Sequence, residues 1–244
     1  MALNFNLDSL LETSLLSDDP WWIYILKGAG WTVGLAVSAF ALALFLGIIV
    51  GSLRTTERRW VRVACEGWIE LFRNIPLIVQ IFIWYFVVPE FIPAYKTWMI
   101  ESDPVASQFL SAFLCIGLFT SSRVAEQVRA GIASLPKGLK NAGLALGFTR
   151  LQTYTHIIIP LALRIIVPPL TSEAMNLVKN TAVAITIGLP EITMRANEMG
   201  ENTFQFFAAY LWATVIYVVI ALGVNRSLNF VEARCRIPGF IAAK

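Results

Sequence analysis

Residues 30–53 read GWTVGLAVSAFALALFLGIIVGSL and carry no Asp, Glu, Lys or Arg. A helix needs about 20 mainly apolar residues to cross the hydrocarbon core of a bilayer. Inside that core every backbone N–H and C=O must find a partner within the protein, and a helix pairs them internally. The segment therefore predicts a membrane-spanning helix rather than an element of a soluble domain.

The composition of the whole chain agrees with a membrane protein. Of its 244 residues 57% are hydrophobic and 14% are charged, and the mean hydropathy is +0.67. A soluble domain is closer to half apolar and a quarter charged, and the 8 Trp and 16 Phe exclude a disordered chain. The net charge of +3 is too small and too scattered for nucleic-acid binding.

Four further apolar segments follow the first, at residues 61–88, 105–128, 165–189 and 203–231. Strict alternation of polar and apolar residues is absent, which argues against a transmembrane barrel. The sequence thus predicts an all-α polytopic membrane protein with five transmembrane helices, the fourth opening at Pro168-Pro169. Residues 1–29 precede the first helix, and residues 30–244 form the transmembrane domain. The odd number of helices places the two termini on opposite sides of the membrane.

The distribution of Lys and Arg predicts the orientation, because basic residues gather at the cytoplasmic ends of membrane helices. Basic residues follow the first, third and fifth segments, whereas carboxylates dominate the N-terminus and the other two loops. The basic set is Arg54, Arg58, Arg59, Arg62, Arg129, Lys137, Lys140, Arg150, Arg164, Arg234, Arg236 and Lys244. The N-terminus is therefore expected outside and the C-terminus in the cytoplasm.

The longest cytoplasmic connection, at about residues 135–160, has a pattern of its own. Residues 137–147 predict a short helix, and residues 148–154 predict a second one with Thr149 as its N-cap. Gly147 between them permits a sharp turn because it has no Cβ. Such a pair either docks into a groove on a soluble partner or lies on the lipid surface as an interfacial helix.

This connection resembles the coupling loop of ABC importer permeases, which is written E-A-A, three residues and then G. Here the loop reads NAGLALG from Asn141 to Gly147, so Asn141 stands in place of the Glu and Gly143 in place of the second Ala. Three stretches resemble the polar amino acid branch of these permeases: ELFRNIPLIVQ at 70–80, Ala125-Glu126 with Arg129 and Gly131, and Lys179-Asn180-Thr181. The stretches FTSSRVAEQVR at 119–129, PPLTSE at 168–173 and MNLVKN at 175–180 resemble permease subunits of bacterial glutamate/aspartate importers in particular.

The resemblance implies a multi-subunit importer in the bacterial inner membrane. Its expected partners are a sister permease in a heterodimer, two ATPase subunits, a periplasmic substrate-binding protein and membrane lipid. The chain has no G-x-x-x-x-G-K-[ST] phosphate loop, so ATP and Mg are expected on the ATPase subunits, and no cofactor or metal is expected in this chain. The predicted coupling residues are Asn141, Ala142, Gly143, Gly147 and Phe148.

Charged residues at bilayer depth are candidates for function, because burying one there costs roughly 2.5–3.5 kcal/mol on insertion scales. Arg73 falls within the second segment, and Glu70 lies three residues earlier on the same helix face. Arg73 is therefore expected either to pair locally with Glu70 or to face the transport path. Lys179, within the fourth segment, is expected either to have a structural or gating role or to contact substrate.

Arg123 is the most informative of these residues. In the wider branch this position is more often uncharged, whereas here an Arg follows Ser121 and Ser122. A guanidinium is a planar fork of donors that matches a carboxylate. The hypothesis is a path for an anionic substrate lined by Arg123, Ser121, Ser122, Asn176, Lys179 and Arg73. The alternative is that Arg123 pairs with Glu126, three residues later.

The function that the resemblance implies is import of acidic L-amino acids, glutamate and aspartate. One alternative is a permease for other polar amino acids, neutral or amide. Another is a stand-alone secondary transporter, which would favour more helices or an inverted repeat. A third is an intramembrane enzyme, which would need a nucleophile with a base or a set of metal ligands, but His156 is the single His of the chain.

Overall fold

Helices account for the architecture of the described residues, which are 7–136 and 138–235 of the computed structural model. Lys137, Arg236 and Lys244, used above for orientation, lie outside them, as do residues 1–6. Within the described residues we number nine helices in chain order. They are α1 Trp21–Leu53, α2 Arg59–Asn74, α3 Leu77–Phe91, α4 Pro93–Glu101, α5 Pro104–Ala133, α6 Gly138–Ala145, α7 Arg150–Ile187, α8 Ile192–Thr203 and α9 Phe206–Cys235.

Four of these helices, α1, α5, α7 and α9, are long and apolar enough to cross a membrane. A fifth crossing is present if α2 and α3 act as one broken span, since the two are bent by 100° at a short break. The prediction of an all-α polytopic protein is confirmed in this coarser form. The predicted second helix at 61–88 is broken at Pro76, where the proline indicates a kink or break.

The bend between α2 and α3 has a local cause at Pro76. A proline disfavours the helical conformation of the residue before it and has no N–H to donate. Ile75 accordingly has extended backbone angles, φ −89° and ψ 129°. Hydropathy alone does not reveal such a bend because both arms are rich in apolar side chains.

Two predicted helix boundaries also need correction. The first helix begins at Trp21 rather than at residue 30, because residues 21–29 contain no proline that would stop it. The fourth begins at Arg150 rather than at 165, and Pro168-Pro169 lie inside it. Two prolines remove only the N–H groups that would reach the carbonyls of Arg164 and Ile165, a loss that membrane helices tolerate.

The described residues divide into two compact units. Unit 1 holds those within 1–40, 76–117 and 176–223. Its core joins Trp21 and Ile25 of α1 to Ile192 and Met199 of α8 and to small residues of α9, which are Ala208, Ala209 and Ala213. The small side chains of α9 let the backbones approach closely, as is typical of membrane helix interfaces.

Unit 2 holds the described residues within 41–75, 118–175 and 224–244. Its core packs Ala43 of α1 against Val124 and Val128 of α5 and Ile166 of α7. Gly51 of α1 makes the approach to α5 possible, because a Cβ there would lie 2.5 Å from the carbonyl oxygen of Ala125.

Candidate functional site

Arg123 lies on α5 in unit 2 and reaches toward α7. Its guanidinium stacks over the Phe119 ring at 5.1 Å from the ring centroid. Its Nη1 is 3.8 Å from a carboxylate oxygen of Glu173, and 43% of the Arg123 side chain is exposed in the described chain. Glu173 thus offers a loose ion pair that leaves most of the five guanidinium donors unused.

The alternative that Arg123 pairs with Glu126 is wrong. Glu126 instead forms ion pairs with Arg54 at the end of α1 and with Arg129 one turn along α5. Arg54 also lies 3.6 Å from Glu66 of α2. The network therefore ties α1, α2 and α5 together, and its long-range partner Arg54 gave no local signal in the sequence.

The two serines before Arg123 are fully buried in the described chain. The Ser121 hydroxyl donates to the carbonyl of Leu118 at 2.6 Å, and the Ser122 hydroxyl donates to that of Phe119 at 2.7 Å. Their donor protons are therefore used within α5, and Ser121 also accepts a bond from the Trp68 indole at 3.4 Å. Contact of either serine with substrate stays a prediction.

Arg73 does not have the expected local partner. Among the described residues neither Arg73 nor Glu70 forms an ion pair, and both side chains are exposed. Arg73 lies in the last turn of α2, directly before the bend at Ile75, rather than in the middle of a straight span. The local ion-pair interpretation is therefore wrong, and a place in the path stays a prediction.

Asn176 and Lys179 belong to unit 1, whereas the other four predicted path residues belong to unit 2. Asn176 is half-buried and Lys179 is exposed. Lys179 lies just before Thr181–Ile187, where the helix tightens to 3₁₀ winding and then ends at Gly188 with φ +84°. Substrate contact by these two residues stays a prediction.

The connection at about residues 135–160 contains the first predicted short helix, as α6. The second one is the first turn of α7 rather than a separate helix. Gly147 has φ +85°, the left-handed conformation that glycine adopts without strain. Thr149 caps α7 with its predicted side-chain bond, accepting from the Gln152 N–H at 3.2 Å while Gln152 accepts from the Thr149 N–H at 2.8 Å.

The predicted coupling residues are mostly on the surface of this connection. Asn141, Ala142, Gly147 and Phe148 are exposed, whereas Gly143 is buried against Thr153. Two leucines of α6 and the following turn differ in burial: Leu139 packs on the cluster of Leu135, Ile158 and Ala162, whereas Leu146 is 77% exposed.

Glu57, in the short link between α1 and α2, holds this connection in place. Its two carboxylate oxygens accept from Lys140 of α6 at 2.8 Å and from Arg150 of α7 at 2.9 Å. The hydrogen bond from Lys140, together with the charges of both cations, lowers the pKa of Glu57. The two partners of Glu57 lie 83 and 93 positions further along the chain, so local sequence patterns do not indicate this contact.

Sequence reasoning also missed Glu191, a fully buried carboxylate in unit 1. It caps α8 by accepting from the Met194 N–H at 2.8 Å, and its other oxygen accepts from the Tyr217 hydroxyl at 2.6 Å. Burial raises the pKa of Glu191. Gly28 of α1 allows the close approach, since a Cβ there would lie 2.9 Å from the Glu191 backbone.

Comparison with known proteins gives concordant matches along the chain. Residues 43–237 match the family model described as binding-protein-dependent transport system inner membrane component. The chain is 40% identical over 246 aligned residues to the glutamate/aspartate import permease protein GltJ of Escherichia coli (strain K12), covering 100% of both chains. It is 30% identical to the glutamine transport system permease protein GlnP of the same strain, covering 87% of this chain and 93% of that protein.

Solved structures share the fold. A crystal structure of an amino acid ABC transporter with histidines aligns with a TM-score of 0.70 and 24% identity, covering 87% of this chain and 94% of that one. An inward-facing structure of the MetNI methionine ABC transporter aligns with a TM-score of 0.72 and 16% identity, covering 91% and 100%.

Proposed function

Since the chain belongs to the family of binding-protein-dependent transport system inner membrane components, we propose that it is a permease subunit of an ATP-driven importer for glutamate and aspartate. The family places it in the inner membrane as a multi-pass protein, in agreement with its four or five candidate spans. The observation that carries the proposal is the full-length 40% identity with a glutamate/aspartate permease.

Arg123 supports an acidic substrate on chemical grounds. A substrate with two carboxylates needs fixed donors, and charged hydrogen bonds to a guanidinium are among the strongest that a protein offers. Within the described residues Arg123 is part-exposed, and it has one loose carboxylate contact besides its stacking over Phe119. Ser121, Ser122, Asn176, Lys179 and Arg73 complete the proposed path.

Energy enters through the cytoplasmic connection in this proposal. We place the N-terminus in the periplasm and the C-terminus in the cytoplasm because of the alternating charge of the loops. The exposed surface around Asn141, Ala142, Gly147 and Phe148 then faces an ATPase subunit. The partners are a sister permease in a heterodimer, two ATPase subunits that bind ATP and Mg, and a periplasmic binding protein.

Glutamine import is the second candidate, because the glutamine permease cited above also covers most of the chain. An uptake assay separates the two candidates. The complete importer is purified and reconstituted in liposomes, and its binding protein is added to the assay. We expect ATP-dependent uptake of labelled glutamate and aspartate well above that of glutamine. Uptake of glutamine alone would replace the first proposal by the second.

A further inference from the structure

An open cleft of about 490 Å³ lies in unit 2 beside the cytoplasmic connection. It runs between the last turns of α1, the α1–α2 link and the first turns of α7. Its wall is mainly apolar, and its apolar lining residues are Ile48, Ile49, Leu53, Leu151 and Ile159. Ile49, Leu53 and Leu151 are all substantially exposed in the described chain, so the cleft offers apolar surface to an occupant.

Basic side chains form the rim of the same cleft. Arg58, Lys140 and Arg150 line it together with the single carboxylate of Glu57. Glu57 accepts one bond from Lys140 and one from Arg150, whereas Arg58 has no ion-pair partner among the described residues. The rim therefore keeps an excess of positive charge, and the Arg150 side chain is 72% exposed with most of its donors unused.

The apolar lining begins beside the charged rim at Leu53 and Leu151 and continues away from it along α1 and α7. Ile48 lies five residues before the end of α1, or ~7 Å along the helix, and Ile159 lies nine residues into α7, or ~13 Å. Arg58 lies in the link after the end of α1, and Arg150 is the first residue of α7. Both basic residues are therefore at the helix ends, away from Ile48 and Ile159. An occupant that fits has an anionic end at the rim and an apolar body along the helices.

We propose that this cleft binds an anionic phospholipid of the cytoplasmic leaflet, with its phosphate between Arg58 and Arg150 and an acyl chain along Ile48, Ile49 and Ile159. Basic pockets between membrane helices on the cytoplasmic side are suited to such headgroups. The inference rests on the proposed function for placing this end of α1 in the cytoplasm. Charge complementarity favours the lipid over a protein segment, because the apolar wall begins directly below the basic rim.

The bound lipid has a consequence for coupling. Its phosphate supplies a second anion to Arg150 while Glu57 keeps its bonds to Lys140 and Arg150. The lipid therefore strengthens the attachment of α6 and α7 to the α1–α2 link. Anionic lipid is expected to raise substrate-stimulated ATP hydrolysis by the complete importer above the level in zwitterionic lipid.

Lipid retention tests the site directly. The complete importer is purified from nanodiscs of phosphatidylcholine mixed equally with phosphatidylglycerol, and the retained lipid is identified by native mass spectrometry. We expect preferential retention of phosphatidylglycerol and about five-fold weaker retention for Arg58→Gln, the effect of one basic residue near an anionic surface. Arg59→Gln is the matched control, because its side chain is exposed but does not line the cleft.

The result that overturns the proposal is equal retention of the two lipids, or equal loss in Arg58→Gln and Arg59→Gln. Absence of retained lipid from the complete importer would also overturn it, because the ATPase subunit would then cover the cleft. Soluble glycerophosphoglycerol, which lacks acyl chains, is expected not to compete. Lipid retention is measured without transport. The measurement therefore remains interpretable even if the importer carries a substrate other than glutamate and aspartate.

Discussion

Replacing Arg123 tests the proposed specificity for acidic substrates. Replacing it with Gln removes the charge that an acidic substrate would meet, so we expect glutamate uptake to fall at least about ten-fold, the loss of a charge-assisted hydrogen bond. Basal ATP hydrolysis and assembly of the importer are expected to stay near normal. The measurement is uptake of labelled glutamate by proteoliposomes containing the complete importer.

Glu173→Gln separates substrate contact from a structural role of the Arg123–Glu173 pair. Glu173 is the one ion-pair partner that Arg123 has among the described residues. If the pair mattered only for packing, either substitution would break it with a similar effect. We expect the Glu173 variant to keep most of its glutamate uptake, and equal losses would count against a substrate role for Arg123.

Glu191 gives a prediction on the pH dependence of stability. Burial raises the pKa of this carboxyl in the folded protein, so folding favours its protonated form. Its contribution is fully present below the unfolded pKa of about 4.3 and is lost as pH rises through the raised folded value. The thermal midpoint of the wild type should therefore fall over that interval, and Glu191→Gln should remove this part of the fall.

The control for Glu191 lies on the same helix. Glu201 is exposed and accepts from the Asn197 side chain one turn earlier, so Glu201→Gln is the exposed counterpart against which the effect of Glu191→Gln is compared. Glu191→Ala removes the N-cap and should lower stability by about 1 kcal/mol or more. An unchanged pH profile in Glu191→Gln would show that Glu191 does not titrate as its burial requires.

At the residue scale, structural features that depend on local spacing were predictable from the sequence, whereas tertiary contacts were not. The cap at Thr149 and the turn at Gly147 were predictable because their partners lie within a few residues. Arg54, the long-range partner of Glu126, and both partners of Glu57 come from segments 72 to 93 positions away. Spacing contains no information on such contacts.

At the scale of elements, the turn between α6 and α7 has a specific test. Gly147→Arg places a long cation on the surface proposed to meet the ATPase subunit and forces a left-handed backbone at a cost of roughly 1–2 kcal/mol. We expect the protein to insert and assemble, but glutamate-stimulated ATP hydrolysis should fall to near the basal rate. ATPase assays with and without loaded binding protein measure this.

Gly147→Asn is the matched variant for backbone strain. Asn tolerates the left-handed conformation better than other residues with a Cβ, and open space surrounds the position within the described chain. Coupling is expected to survive largely in this variant. Full ATP-coupled transport by Gly147→Arg would contradict docking through this turn.

The elements themselves were predictable where a long apolar run decides them. Residues 30–53 lie within α1, and 105–128 lie within α5. Hydropathy failed where direction changes, because a 100° bend at Pro76 leaves the average unchanged. The proline pair Pro168-Pro169 was misleading for a different reason, because the fourth helix was predicted to open there and instead continues through both prolines.

At the scale of the whole molecule, the few charged residues mark places with a proposed role. Only 14% of residues are charged, and two of them, Lys140 and Arg150, both form ion pairs with Glu57. The composition predicted a polytopic membrane protein, and family membership is shown by the match over residues 43–237. Composition could not predict the partners, because they are recognised by surfaces rather than by averages.

Dependence on the ATPase subunits tests the central claim most directly. Glutamate uptake is measured in proteoliposomes that contain this chain and its sister permease, with and without the two ATPase subunits, in the presence of binding protein and ATP. We expect uptake against a gradient only when the ATPase subunits are present. Glutamate accumulation by the permease chains alone would instead identify a self-sufficient transporter and rule out ATP-driven import.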